Sequence, residues 1–388
     1  MEARAPGEGV IGVADRLKVA IAAGGTAGHI NPALALAEEL VARGHEVYFY
    51  GQPTRLEATL VPQAGFPFTP MDVSGFDRAR PWTLLTALWK MRRAEGALDA
   101  GFREHGAPDV AIGFGAYIEL PLINWCNKHG IPTVVHEQNS VPGLANKSSA
   151  GKVKSVCVSL PVAIDAFKDR VGAGTQIIVT GNPVRKSVIE ATREDGRMHF
   201  GVPEEATLLL VFGGSLGARH LNQGVTALKD ELLSRKDLYI IHSTGKDEYD
   251  SVVKALNLSK DEVARWQVMP YIDRMGEALA AADLVLSRAG ASSVAEIAAL
   301  ATPSMLVPYP LATADHQTTN ARYLVDAGAA IMMPDDEIDT PGFASSLFSL
   351  IDDESKRADM VAAARGLGQD KAASALADQV ESAASLRD

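Results

Sequence analysis

Short apolar runs recur along the chain, several of them followed by glycine, and alternate with residues of helical spacing. In the first half they lie at residues 18–23, 46–50, 109–112 and 132–136; in the second at 207–212, 238–242, 266–269, 284–287 and 304–307. An apolar run without polar alternation is what a strand buried on both faces shows. Strand, glycine turn, helix, strand is the signature of a parallel sheet covered on both sides. A first helix is predicted over residues 32–43, with Pro32 in its first turn and Gly44 as its stop. The pattern then restarts: Gly24-Gly25-Thr26-Ala27-Gly28-His29 follows the first run, and Gly213-Gly214-Ser215-Leu216-Gly217-Ala218 stands 189 residues later. Gly181-Asn182-Pro183 is the expected hinge between the halves. From about Glu354 the chain is alanine-rich and helical, with no further strand expected. The reading is an α/β protein of two Rossmann-like, doubly wound parallel-sheet domains.

Composition supports two packed domains, since 388 residues exceed one ordinary core and 47% are hydrophobic against 22% charged. The two cysteines, Cys126 and Cys157, are far apart, which excludes a disulfide framework and a CxxC metal site and suits a reducing cytoplasm. A net charge of −11 argues against nucleic acid as a partner. No apolar run reaches the ~18 residues that a membrane span needs. Residues 1–17 carry acids and bases without an apolar centre, so they read as an extension and not as a secretory signal. The protein is expected to stay inside the cell.

A glycine turn between strand and helix presents backbone N–H groups at the positive end of the helix dipole, where phosphate binds. One such turn is a weak signal; two at matching positions are stronger. The dinucleotide fingerprint is absent, because the second strands end Tyr50-Gly51-Gln52 and His242-Ser243-Thr244 without the ribose-binding acid. The Walker phosphate loop is absent as well. Nucleotide binding survives; NAD and ATP hydrolysis do not.

The densest chemistry lies in residues 283–296, Asp-Leu-Val-Leu-Ser-Arg-Ala-Gly-Ala-Ser-Ser-Val-Ala-Glu, followed by Pro308 and by Asp315-His316-Gln317-Thr318-Thr319-Asn320. Ser293 and Glu296 have the spacing of a capping box at a helix start near Ser293. A carboxylate at Glu296, on that first turn, equally suits two ribose hydroxyls, having two acceptor oxygens and no donor. Both readings stand on local evidence.

With these motifs the chain resembles the MurG family of bacterial peptidoglycan glycosyltransferases, of the GT-B fold. The resemblance runs from about Leu17 to near the end. It is carried by the 24–29 turn with Asn31-Pro32, residues 113–117, His136-Glu137-Gln138-Asn139, Asn146-Lys147, Gly181-Asn182-Pro183-Val184-Arg185, the 213–218 turn, residues 288–296 and Gln317 to Asn320. Ala27 and Ala116 stand where the family usually has glycine. The resemblance implies inverting transfer of N-acetylglucosamine from UDP-N-acetylglucosamine to the 4-hydroxyl of a muramyl-pentapeptide held on undecaprenyl pyrophosphate. It implies an acceptor- and membrane-facing domain over 18–185 and a donor domain over 186–364, facing a cleft, with a helix at about 365–388 packing back on the first domain. No cofactor and no metal are implied, and no D-x-D-like carboxylate pair accompanies either glycine turn.

Carried onto this chain, His29 is the expected general base, with its pKa depressed by the positive helix end, and Glu137 the alternative base. Donor contacts fall on Thr26, Ala27, Gly28, Asn139, Arg185, Ser215, Ile272, Arg288, Ala291, Ser292, Ser293, Val294, Ala295, Glu296 and Gln317. Among them Arg185, Ser215 and the backbone from Gly214 to Ala218 meet the diphosphate, and Ile272 lies against uracil. Acceptor contacts fall on Tyr117, His136, Asn146 and Asn320. Other cell-wall synthesis and division proteins are admitted as partners.

The most amphipathic stretch lies between Phe76 and Arg103. Trp82, Leu85 and Trp89 share one helical face, with Arg78, Arg80, Lys90, Arg92 and Arg93 around them. Tryptophan among basic residues suits an anionic inner-leaflet surface, whereas a buried core helix is the plain alternative. The expectation is a peripheral protein on the cytoplasmic side of the cell membrane.

Overall fold

The apolar runs pair into two sheets in which every neighbour is parallel. The computed structural model describes residues 16–73, 83–214, 217–367 and 369–385, with the backbone alone at 83–88, 104 and 105. The first sheet holds β1 (Lys18–Ala22), β2 (Glu46–Gly51), β3 (Phe68–Pro70), β4 (Val110–Gly113), β5 (Thr133–Glu137), β6 (Ser155–Val158) and β7 (Gln176–Val179), in the order 3-2-1-4-5-6-7. The second holds β8 (Thr207–Phe212), β9 (Leu238–Ser243), β10 (Trp266–Met269), β11 (Leu284–Ser287), β12 (Ser304–Leu306) and β13 (Ala330–Met332), in the order 10-9-8-11-12-13. In each sheet the strand order reverses beside the first strand, between β1 and β4 and between β8 and β11. Ligands of open parallel sheets bind outside the strand carboxyl ends at such a point. The short strands β3, β6, β7 and β13 had no separate signal in the hydrophobic pattern.

The helices that carry or flank these ends are α1 (Ala27–Ala42), α2 (Thr83–His105), α3 (Glu119–Lys128), α4 (Leu144–Ser149), α5 (Arg219–Ala227), α6 (Ala291–Ala299), α7 (His316–Val325) and α8 (Ala372–Ser385). Helix α1 begins five residues earlier than its proline suggests. Thr26, extended at φ −140° and ψ 157°, is the N-cap, and Pro32 sits inside the helix. Pro32 forgoes one backbone hydrogen bond there. The early start places His29 in the first turn, not in the loop.

The chain ends by returning to the first domain. Leu376, Ala377, Val380, Ala383 and Ala384 of α8 share one core with Ile30, Leu34 and Leu40 of α1 and with Val19 and Ile112 of the sheet. Polar contacts fix the register: Arg43 Nη1 donates to Asp378 (2.7 Å) and Glu381 (3.0 Å), and His45 Nε2 lies 2.9 Å from Glu381 Oε1. Burying Leu376 and Val380 fully contributes about 2 kcal/mol each. No helix among the described residues is long and apolar enough to cross a membrane.

Candidate active site

The two sets of strand ends meet at a seam. Ser140, after β5, donates its backbone N–H to Asn320 Oδ1 (3.0 Å) and its hydroxyl to the His316 carbonyl (3.1 Å). Asn320 completes the bridge by donating to the Ala289 carbonyl at 3.3 Å, and it lies 3.5 Å from Asn139 Oδ1. Its amide is fully buried, so Asn320 joins the domains and is closed to an acceptor in this arrangement.

On the first domain's side, His29 stands half-buried at the start of α1, its Nδ1 2.9 Å from Thr26 Oγ1. Burial pushes its imidazole down to about 4, so the ring is neutral at pH 7. The turn after β4 lies against the ring: a Cβ on Gly115 would fall 3.4 Å from His29 Cδ2 and 3.5 Å from Nε2. Gly115 (φ +79°) and Ala116 (φ +62°) are both left-handed, and Tyr117 follows, half-buried.

His136 and Glu137 end β5, which is buried at every position because β4 and β6 flank it. His136 is therefore not open to an acceptor. Its Nε2 donates to the Gly181 carbonyl (3.0 Å), and its Nδ1 accepts from Gln138 (3.1 Å), tying the sheet to the interdomain linker. Burial holds it neutral, near 4. Glu137 is likewise engaged: it accepts from the Asn139 N–H (3.0 Å), the Gly143 N–H (2.9 Å) and Asn146 Nδ2 (2.9 Å). Burial raises its pKa, and these donors pull the other way. Asn146, fully buried, also donates to the His136 carbonyl at 3.0 Å. These residues hold the loop after β5 from behind.

On the second domain's side, Ser215 and Leu216 lie outside the described residues, as do Arg78, Arg80 and Trp82 and the side chain of Leu85. The rest of that glycine turn is clear. Gly217 (φ +77°) must be glycine, since a Cβ would fall 2.1 Å from the Thr244 carbonyl oxygen. The turn opens on a cleft of about 680 Å³ lined by Gly213, Gly214, Arg219, His220, Arg288 and Gln317, among others. Helices α5 and α6 both point their N-termini at this edge, which favours an anion. Arg288 donates to the Val307 (3.1 Å) and Pro308 (3.2 Å) carbonyls and pairs with Asp335 at 2.5 Å. Asp335 also meets His220 Nδ1 at 2.8 Å, while His220 Nε2 meets Asp339 at 3.1 Å. The two aspartates hold the imidazole above its ordinary pKa. Gln317 fixes its oxygen on the Ala289 (3.2 Å) and Tyr309 (2.9 Å) N–H groups.

Helix α6 corrects the capping-box reading. Extended Gly290 is its N-cap, so Ala291, Ser292, Ser293, Val294 and Ala295 fill the first turns and Glu296 falls in the second. Burial raises the Glu296 carboxyl to about 7, and Arg185 opposes the shift. Arg185 itself is held by Glu38 of α1, at 3.0 Å through Nε and 2.8 Å through Nη2. Ile272 is buried in the second domain's core. Among the described residues no cluster of histidine, cysteine or carboxylates fits a metal ion.

Sequence reading missed Glu38, Glu57, Glu119, His220 and Asp335. An acid on a helix gives no local signal of a partner in another element.

Both domains match glycosyltransferase family 28: its N-terminal domain over residues 19–158 and its C-terminal domain over 208–380. A UDP-N-acetylglucosamine–N-acetylmuramyl-(pentapeptide) pyrophosphoryl-undecaprenol N-acetylglucosamine transferase of Halothermothrix orenii is 37% identical, over 95% of this chain and 99% of its own. The enzyme of the same name from Salinibacter ruber is 38% identical over 92% and 94%. The crystal structure of Acinetobacter baumannii MurG superposes with a TM-score of 0.69 at 29% identity, over 94% of this chain and 99% of that one. The calicheamicin glycosyltransferase CalG4 shares the fold, with a TM-score of 0.66 at 17% identity over 95% and 98%.

Proposed function

The chain belongs to the MurG family within glycosyltransferase family 28, and on that premise we propose how its residues divide the work of the transfer. It is an N-acetylglucosamine transferase, acting between UDP-N-acetylglucosamine and N-acetylmuramyl-(pentapeptide) pyrophosphoryl-undecaprenol. The reading is supported by a neutral imidazole at the carboxyl edge of the first sheet, an anion-suited cleft at the carboxyl edge of the second, and the Ser140–Asn320 seam that joins the two domains.

In this reading the donor lies on the second domain. Its diphosphate meets the backbone at Gly214, Gly217 and Ala218 and the N-termini of α5 and α6. These fixed donors stabilise the charge that develops on the UDP leaving group without reorganising. Arg185 joins them once it parts from Glu38. Ile272 offers uracil its backbone, and Ser292, Glu296 and Gln317 bind ribose and sugar hydroxyls. The acceptor 4-hydroxyl approaches over the turn around Tyr117 and gives its proton to His29 as the anomeric carbon is attacked from the opposite side, inverting it. This requires Nδ1–H to donate to Thr26, which leaves Nε2 free as the base. Glu137, with both oxygens engaged, shapes the loop that presents Asn139.

The membrane contact falls on α2. Trp89 is 59% exposed, and the Arg93 guanidinium lies over its ring at 5.6 Å. Lys90 is instead paired with Asp72 at 2.9 Å. This face suits anionic lipid on the cytoplasmic side, where a peripheral enzyme reaches a lipid-held acceptor.

The test is UDP release from UDP-N-acetylglucosamine with and without a lipid-linked muramyl-pentapeptide. Release that depends on the acceptor is expected. Equal release without it, or none with it, contradicts the assignment.

A further inference from the structure

Three buried glutamates lie beneath the three loops at the catalytic edge of the first sheet. Glu57 accepts from the Gly25 (3.1 Å) and Gln52 (3.0 Å) N–H groups, behind the turn that leads to His29. Glu119 accepts from the Gly115 N–H (2.6 Å) and the Ser149 hydroxyl (3.2 Å). Glu137 accepts the donors described above. The three are 1%, 0% and 2% exposed. A carboxyl oxygen accepts N–H groups converging at strand ends whether the group is ionised or carries its proton on the other oxygen.

Glu119 differs from the others in what it holds. Its turn contains two successive left-handed residues, and the second, Ala116, carries a Cβ that disfavours that conformation. Backbone strain of this kind persists only where surrounding contacts over-determine it. The Gly115 N–H bond to Glu119 is such a contact, and Gly113 leaves room for the carboxyl: a Cβ there would fall 2.5 Å from Glu119 Oε2. The outer surface of the same turn rests on the His29 ring and on Asn146. Asn146 and Ser149 lie three residues apart on α4, so one short helix braces both Glu137 and Glu119.

We propose that Glu119 is a positioning residue for the transfer: it holds the Gly115–Ala116 turn against His29 and so sets where that imidazole meets the acceptor hydroxyl. The proposal rests on the reading of His29 as the base. Glu119 touches no substrate, and its effect passes through the turn.

The experiment is a double-mutant cycle read as kcat, acceptor KM, donor Kd and melting temperature. Glu119→Ala lowers kcat about 10- to 100-fold through misplacement of the base, with donor Kd unchanged. Glu119→Gln keeps an oxygen for the Gly115 N–H and recovers most of kcat. Adding Ala116→Gly to Glu119→Ala relieves the strain and recovers part of it. In a His29→Ala background, Glu119→Ala costs nothing further, because the two act as one unit. Independent losses that multiply, or a donor Kd that weakens along with kcat, overturn the proposal. So does an unchanged kcat in Glu119→Ala while His29→Ala is impaired. A silent His29→Ala instead removes the base reading and leaves the family assignment standing. Should Glu119→Ala not fold, Glu119→Ser, too short to reach Gly115, takes its place in the cycle with the same expected losses.

Discussion

Arg185 and Glu38 join the interdomain linker to the helix that carries His29: two guanidinium nitrogens donate to one carboxylate oxygen, at 3.0 and 2.8 Å. The second Glu38 oxygen accepts the Lys186 N–H at 3.1 Å. A carboxylate in the fork of an arginine occupies the place that a phosphate would take. In the proposed reading, donor binding through Arg185 competes with Glu38. Replacing Glu38 with Gln is expected to tighten UDP-N-acetylglucosamine binding a few-fold, because a partly exposed pair is worth about 1 kcal/mol or less. Calorimetric titration checks it; weaker binding would show that Glu38 presents Arg185 to the donor.

Glu119 also leaves a signature in stability. Burial raises its carboxyl to about 8, with Glu137 adding to the shift and the Gly115 and Ser149 donors opposing it. An acid whose pKa is raised in the folded state stays protonated while the unfolded chain ionises. The stability contributed by this one group is therefore fully present below about pH 4.5 and is lost as pH rises from there to about 8. Glu119→Gln removes that loss. Its melting temperature relative to wild type should climb across this window, by an amount equivalent to a few kcal/mol, on the order of 1.4 per pH unit. A difference that does not vary with pH would mean the carboxyl is ionised throughout.

Ala116 sits at φ +62°, where glycine carries no Cβ penalty. Ala116→Gly should raise stability by about 1 kcal/mol, the strain relieved exceeding the entropy that glycine adds to the unfolded chain. Chemical denaturation measures this directly. A loss of stability would show that the Cβ packs well enough to repay its strain.

Trp89 and Arg93 form the described part of the proposed membrane face. Trp89→Ser with Arg93→Ser should lower recovery with anionic vesicles in flotation while leaving turnover on a detergent-solubilised acceptor unchanged. Equal flotation would place the lipid contact elsewhere.

Much of this was legible in the residues. The two glycine turns announced two parallel-sheet domains because a buried parallel strand leaves an unbroken apolar run, and only glycine fits a turn such as Gly217 beneath the Thr244 carbonyl. The start of α1 was misplaced because Pro32 reads as a first-turn residue, although the helix tolerates it one turn further in. His136 looked like an acceptor ligand from its neighbours in sequence; burial between β4 and β6 turned it toward Gly181 instead. Glu57, Glu119 and Glu38 gave no signal, since each satisfies backbone or arginine donors brought near only by the fold. The Arg288–Asp335–His220 cluster was invisible for the same reason, its members coming from three separate elements of the second domain.

The central claim is that His29 takes the acceptor's proton and leaves donor binding to the other domain. The direct measurement is kcat and UDP-N-acetylglucosamine Kd for His29→Ala beside wild type, with kcat/KM followed against pH. The account predicts a kcat lower by about 100- to 10,000-fold with Kd unchanged. For wild type it predicts a flat neutral range and an acid limb near pH 4, where the buried imidazole becomes protonated and can no longer accept. Equal losses in kcat and donor affinity, or full activity in His29→Ala, would contradict it.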